Sequence, residues 1–287
     1  MRASLGYIST ASYSAWANGD EMARTLADKR FLLTGATSGI GKALAKQLLE
    51  LGVALAIVGR NAEKLQTLVA EFANFKGKVH PISGDVGIEA DQSRIVSEAV
   101  RQLGGLDGLI NNAGIASWGH FAGGTEEILR QIMEVNFHGP AELIRHAIPH
   151  LTEGREPIIV NVSSMTGRKA MPAWSEYSAS KHALCGLTEA LRGEMARFGI
   201  DTLLVIPGLT KTGLQKDMLR NDGKVKIDYE SGMEPTYVAD KIVKAIRSGK
   251  QEIVVGSDAR RMLLVNRFLP RFLDRKIARK VTEAYRS

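Results

Sequence analysis

The chain has a single cysteine, Cys185. No disulfide can form within it, which fits a reducing compartment and a cytoplasmic location. No apolar run approaches the roughly 18–20 residues needed to span a membrane. Residues 1–20 are rich in Ser, Ala, Tyr and Gly and lack the apolar core of a signal peptide. Most of the chain also lacks net charge. The total is +7, but residues 259–287 hold nine Lys/Arg against two acids, and the rest balances. The body therefore has no overall basic character to suggest nucleic acid; only the tail has. Apolar residues at 44% and charged residues at 24% are those of an ordinary soluble protein, and 287 residues make one large α/β domain or two small ones.

What is present is a strict alternation. Strands are expected over 30–34, 53–58, 79–85, 106–111, 156–163, 201–206 and 252–255. Helices are expected between them, over 42–51, 62–75, 89–103, 125–150, 175–198 and 235–248. The strands read as continuously apolar, as strands buried on both faces should. This pattern predicts an α/β fold, a single doubly wound Rossmann-type parallel sheet of about seven strands flanked by helices. Ligands then bind at the carboxyl ends of the strands. The predicted domain covers 29–256 and includes a lid at about 213–234. Residues 1–28 are expected to form a flexible extension, with Met22 as a natural alternative start, and 257–287 a basic amphipathic tail.

The residues with chemical potential cluster at those strand ends. Gly35-Ala36-Thr37-Ser38-Gly39-Ile40-Gly41 joins the first strand to the first helix. Such a turn offers backbone N–H groups and a positive helix end to a phosphate, and its missing side chains let a pyrophosphate approach. The second strand ends in Gly59-Arg60-Asn61, where a domain selecting NAD usually carries an acid. A guanidinium without a carboxylate favours NADP(H); the plainer role for Arg60 is capping the next helix. Asp85-Val86 and Asn111-Asn112-Ala113-Gly114 end the next two strands, and Ser163-Ser164 and Pro207-Gly208 two more. Tyr177 and Lys181 lie four apart at the start of a predicted helix, so phenol and ammonium share one face. A nearby cation favours the phenolate and moves the tyrosine toward acid/base work near neutrality.

Thr34-Gly35-Ala36-Thr37-Ser38-Gly39-Ile40-Gly41, Asn111-Asn112-Ala113-Gly114, Ser164 and Tyr177-x-x-x-Lys181 together resemble the short-chain dehydrogenase/reductase family over about 28–256. The resemblance implies an NADP-dependent oxidoreductase acting on a carbonyl or secondary alcohol. It implies a catalytic tetrad of Asn136, Ser164, Tyr177 and Lys181, with Tyr177 as general acid/base. Lys181 would lower its pKa and hold the nicotinamide ribose. Ser164 would bond the substrate oxygen, and Asn136 would place a water linking Lys181 to solvent. Cofactor contacts are implied at Gly35, Thr37, Ser38, Gly39, Ile40, Gly41, Asp85, Val86, Asn112, Ala113, Gly114, Tyr177, Lys181, Pro207, Gly208 and Thr212. Asp85 and Val86 would flank the adenine, and Pro207-Gly208-x-x-x-Thr212 would meet the carboxamide. Thr210 departs from the apolar residue more usual there. A homodimer or homotetramer through the helices over 125–150 and 175–198 is implied as well. The rival is a non-catalytic NADP(H)-binding regulatory or membrane-recruited protein on the same fold; a lyase or epimerase is a lesser alternative.

Substrate is expected between the 213–234 lid, read as mobile, and 115–121. Its expected walls are Met165, Met171, Trp174, Trp118 and Met218, which suit an apolar compound. His146 and His150 lie four apart, but Pro149 intervenes and no third ligand is evident, so no metal is expected. In the tail, Met262, Leu263, Val265, Phe268, Leu269, Phe272 and Leu273 alternate with arginines at near-helical spacing. That pattern fits peripheral contact with a membrane or partner, and equally packing on the core.

Overall fold

Strands β1 (Arg30–Thr34), β2 (Ala54–Gly59), β3 (Val79–Ser83), β4 (Gly108–Asn111), β5 (Ile158–Val162), β6 (Asp201–Pro207) and β7 (Glu252–Val255) form one sheet. Their order is β3-β2-β1-β4-β5-β6-β7, with every pair parallel. This is a computed structural model, and it describes residues 23–75, 77–225 and 227–286. The strand order reverses between β1 and β4, so the crevice that binds ligands in such sheets opens at their carboxyl ends.

The inner strands are buried on both sides because both faces are covered, whereas the edge strands β3 and β7 are only half-buried. In β1, Phe31 and Leu33 enter one core and Leu32 the other. The first core is completed by α1 (Gly39–Glu50), α2 (Ala62–Glu71) and α7 (Pro235–Arg247), through Leu44, Leu48, Leu65, Ile242 and Ile246. The second is completed by α3 (Glu89–Leu103), α5 (Gly139–Thr152) and α6 (Ser175–Ala196), through Ile95, Leu143, Ala147, Leu191 and Met195. Each fully buried Leu or Ile contributes roughly 1.5–3 kcal/mol.

The sequence pattern and the structure part at several points. Helix α1 begins at Gly39, three residues early, so its free N–H groups belong to the glycine turn itself. The helix expected over 125–150 is two, α4 (Glu126–Met133) and α5, joined by a π-helical turn at Glu134–His138. The wider turn carries Asn136, which is wholly buried. Gly139 follows it because a Cβ there would lie 2.3 Å from the Val86 carbonyl oxygen.

The extension expected over 1–28 does not run that far. Residues 1–22 lie outside the described residues, but 23–28 belong to the domain. Arg24 is buried; its side chain pairs with Asp201 and donates to the carbonyls of Ile246 (2.6 Å) and Glu156 (3.1 Å). A lone arginine among polar residues gives no periodic signal.

Residues 257–286 fold back onto the domain as α8 (Ser257–Phe268) and α9 (Pro270–Arg286). Ala259 is fully buried, Leu263 packs with Cys185, Leu204 and Ile206, and Asp274 pairs with Lys169. Pro270 starts the second helix rather than kinking one, because proline suits a first helical position. Among the described residues no helix is long and apolar enough to cross a membrane.

Asp107 holds the base of the sheet. Its buried carboxylate accepts from the Arg30 backbone N–H (2.9 Å), the Arg30 guanidinium (2.8 and 2.9 Å) and the Arg155 N–H (2.7 Å). Burial pushes its pKa up, but these hydrogen bonds and the Arg30 charge win and hold it down at about 2. The folded pKa is below the unfolded one, so this stabilisation is present above about pH 4 and is lost as pH falls toward 2. Asp107→Ala is expected to cost about 3–5 kcal/mol in urea unfolding at neutral pH, because it strands a partly buried guanidinium, and most of that difference should vanish in acid.

Candidate functional site

The carboxyl ends of the strands open into a cavity of about 700 Å³. Its first part is the glycine turn. Gly35 has φ +65°, and a Cβ there would sit 2.7 Å from the Ala113 Cα. A Cβ on Gly41 would lie 2.1 Å from the Gly35 oxygen, and one on Gly39 2.8 Å from the Thr212 Cβ. The turn is thus folded so tightly on itself that only backbone fits, leaving its N–H groups open to a ligand. Gly35, Thr37, Ser38, Gly39 and Ile40 line the cavity, whereas Gly41 lies beneath them.

Asn112 fastens this turn. Its Nδ2 donates to the carbonyls of Thr34 and Gly35, both at 3.1 Å, and its backbone N–H donates to the Thr34 hydroxyl at 3.0 Å. Asn111 instead ties the sheet, donating to Asn161 at 2.9 Å. Ala113 and Gly114 continue the wall.

At the far end stand Arg60, Asp85 and Val86. Asn61, not Arg60, caps α2, accepting from the Lys64 N–H at 2.8 Å. Arg60 is therefore free for a ligand; it faces Asp85 at 3.8 Å, whose carboxylate also accepts from the Gly87 N–H. Lys64 lines the cavity beside Arg60, and the sequence reading missed it. One turn of helix after Arg60 was the signal that would have found it.

The other end holds Tyr177, Lys181 and Ser164. Tyr177 faces Ser164, whose Oγ accepts from the Thr166 N–H at 3.2 Å. Lys181 Nζ donates to the Val162 carbonyl at 3.0 Å and lies 5.8 Å from the Tyr177 ring centre. Burial dominates both groups. It pushes the Tyr177 phenol up to about 12, against the smaller pull of Ser164, and draws the Lys181 ammonium down to about 8. The expected lowering of the tyrosine by its lysine does not appear, because desolvation outweighs a cation at that distance. Tyr177 is therefore held as a phenol.

Asn136 does not reach the cavity. Its Oδ1 accepts from the Ile115 N–H (2.9 Å) and its Nδ2 donates to the Ile115 carbonyl (2.9 Å) and Ser180 (3.0 Å). It approaches Lys181 only across Gly114, where an added Cβ would meet Asn136 Oδ1 at 3.3 Å and Lys181 Nζ at 3.5 Å. Ser163 is structural, donating to the Lys181 carbonyl at 3.1 Å.

Pro207, Gly208 and Thr212 complete this end. Asp258, from the first turn of α8, supports them by accepting from the Leu209 N–H at 3.1 Å. Met165, Met171, Trp174, Trp118 and Met218 all line the adjoining space. Trp174 stands between Trp118 and Tyr177, at 6.5 and 5.5 Å between ring centres. The 213–234 segment is laced to the 115–124 loop. Trp118 N–H donates to the Arg220 carbonyl (2.8 Å), and Asp222 N–H to the Trp118 carbonyl (2.9 Å). The side chain of Arg220 reaches the His120 carbonyl at 2.8 Å. The 213–234 segment therefore covers this end of the cavity. Ile277, Lys280 and Val281 of α9 supply an outer wall that no sequence pattern indicated.

The arrangement joins a glycine turn to a buried phenol through one apolar chamber. The family model for short chain dehydrogenase matches residues 29–223. The chain is 32% identical over 240 residues to the dehydrogenase/reductase SDR family member 7B of Xenopus tropicalis, covering 80% of this chain and 78% of that one. It is 32% identical over 259 residues to the ketoacyl reductase HetN of a Nostoc species, covering 88% of each. Among solved structures, a short-chain dehydrogenase/reductase of Burkholderia phymatum in complex with NAD superposes with TM-score 0.78 at 24% identity, covering 85% of this chain and 94% of that one. A short-chain dehydrogenase of Burkholderia cenocepacia in complex with NADP gives 0.75 at 25% identity, covering 88% and 99%. The chain belongs to the short-chain dehydrogenase family of oxidoreductases.

Proposed function

We infer that the protein transfers a hydride between NADP(H) and a carbonyl or secondary alcohol carried on an apolar substrate. The observation that carries this reading is the Tyr177 phenol beside Ser164, on the same cavity as the glycine turn and the cations Arg60 and Lys64. Solved relatives hold NAD in one case and NADP in another, so a nicotinamide cofactor fits the fold and the choice between the two rests on the chain's own residues.

The glycine turn would take the pyrophosphate on its N–H groups, with Asp85 and Val86 beside the adenine. Pro207, Gly208 and Thr212 would hold the carboxamide, and Lys181 the adjoining ribose. When bound, the nicotinamide gives or accepts the hydride. Ser164 would donate to the substrate oxygen and stabilise its developing charge. Tyr177 would protonate that oxygen in reduction and take the proton in oxidation. Asn136, its amide committed to Ile115 and Ser180, would act as a positioning residue that holds the Gly114–Ile115 wall beside Lys181. A homodimer or homotetramer through the helices over 125–150 and 175–198 belongs to the same reading.

The test is NADPH consumption by the purified full chain with a panel of apolar aldehydes and ketones, beside NADPH binding. Turnover of any of them supports the reading. Binding without turnover of any would move it to a non-catalytic NADP(H)-binding protein.

Proton supply gives a pH prediction. Tyr177, raised to about 12, stays protonated across the working range, while Lys181 loses its proton near 8. The kcat/KM for reduction should therefore be flat below that pH and fall about tenfold per unit above it. A profile that stays flat well past it would remove Lys181 from the proton path.

A further inference from the structure

We propose that the elbow between α8 and α9 is a docking surface for an anionic lipid bilayer, placed so that the mouth of the substrate cavity lies at the lipid interface. Soluble proteins seldom leave clustered large apolar side chains in water. Among the described residues, four of the eight exposed large apolar side chains fall within nine positions: Leu264, Phe268, Leu269 and Phe272, at 56–69% exposure. Leu264 and Phe268 are one helical turn apart on α8, and Leu269 and Phe272 flank the start of α9. None of the four enters a core cluster.

The surrounding charge indicates what covers them. Arg267, Arg271 and Arg275 alternate with these side chains. Among the described residues, none of the nine Lys/Arg in the tail takes part in an ion pair, although the body uses such pairs freely. The tail's Asp274 is taken by Lys169 of the body, which leaves nine cations against Glu283 alone, and Glu283 lies far along α9 from the elbow. Unpaired guanidinium groups beside a protruding apolar knuckle match phosphate headgroups over acyl chains. A second copy fits less well, because a two-fold contact would set the same cations against each other.

The opposite side of α9 faces the chemistry. Ile277, Lys280 and Val281 line the cavity that holds Tyr177. Behind the helix lies a second hollow, bounded by Met171, Ser178, His182 and Ala278. The helix thus stands between solvent and substrate, and docking its elbow would draw an amphiphilic substrate from the lipid phase. That last step rests on the proposed oxidoreductase reading; the docking itself does not.

The experiment is co-sedimentation of the full chain with two kinds of vesicle, phosphatidylcholine alone and equal parts phosphatidylcholine and phosphatidylglycerol. Binding is expected to the mixed vesicles at least about tenfold more tightly than to the neutral ones, and to weaken with salt. The double variant Phe268→Ser/Phe272→Ser and the double variant Arg267→Glu/Arg271→Glu should each lose about tenfold or more of that binding. Both should keep the melting temperature and NADPH affinity of the parent, since these side chains touch neither core nor cavity. No sedimentation with the mixed vesicles, or binding that neither variant weakens, overturns the proposal. So does an oligomer that Phe268→Ser/Phe272→Ser converts to monomer without any vesicle binding by the parent, because the surface is then a contact between copies.

Discussion

Replacing Tyr177 by phenylalanine is expected to lower carbonyl reduction by roughly 10²–10⁴-fold while leaving NADPH affinity nearly unchanged. The change removes one oxygen and keeps the ring between Trp174 and the start of α6. Among the described residues, the phenol alone joins three properties on this cavity. It stands beside Ser164, it is held protonated by burial, and it lies on the apolar chamber lined by Met165 and Trp174. Ser164 loses little structurally in the variant, because its Oγ still engages the Thr166 N–H and the Thr166 hydroxyl at 3.0 Å. The melting temperature should therefore move by no more than a net hydrogen bond allows, about 1 kcal/mol of stability. Steady-state reduction and NADPH fluorescence titration on the same preparation separate the two effects. A variant that retains more than about a tenth of the parent rate would place the proton donor elsewhere.

The sheet was readable in the sequence because the inner strands are apolar on both faces and strands alternate with helix-period segments. About seven parallel strands in one doubly wound sheet follow from that alternation. The glycine turn was readable for the same kind of reason, since close backbone approach permits no Cβ at Gly35 or Gly41. What could not be read was long-range pairing. Arg24 binds Asp201 and the end of α7 from more than 170 positions away, and local patterning carries no trace of such a bond. Helix α9 is a second case: its Ile277 and Val281 show the spacing of an apolar stripe but not that it closes on Tyr177. The π turn at Asn136 is a third, because one extra residue in a helical turn leaves a 3.6-residue pattern almost intact. The electrostatics of Tyr177 failed for a different reason. Spacing gave its neighbour Lys181 correctly, but desolvation depends on everything packed around the pair, and in this site it is the larger effect.

Arg60→Asp is expected to weaken NADPH binding by roughly 100-fold and to leave NADH binding unchanged or slightly improved. The far end of the cavity presents two cations, Arg60 and Lys64, and one acid, Asp85. Asp85 is already committed, with its carboxylate on the Gly87 N–H and facing Arg60 at 3.8 Å. A ribose 2′-phosphate there would exchange that loose ion pair for charge-assisted bonds to a planar fork, and Arg60 is half-exposed and uncommitted to the α2 cap. An acid at position 60 removes the fork and adds a second carboxylate beside Asp85, so the 2′-phosphate meets repulsion while a 2′-hydroxyl gains an acceptor. Lys64→Ala keeps the fork and should lose only about five- to tenfold for NADPH, because an ammonium, a point charge without bidentate geometry, contributes less. The preference for NADPH should also shrink with added salt in the parent, and the discrimination against NADPH in Arg60→Asp should ease with it, since exposed charges are screened. Paired NADPH and NADH titrations at two salt concentrations check all three statements. If Arg60→Asp binds NADPH as the parent does, the far end of the cavity does not read the 2′ position, and the proton chemistry at Tyr177 stands independently with either cofactor.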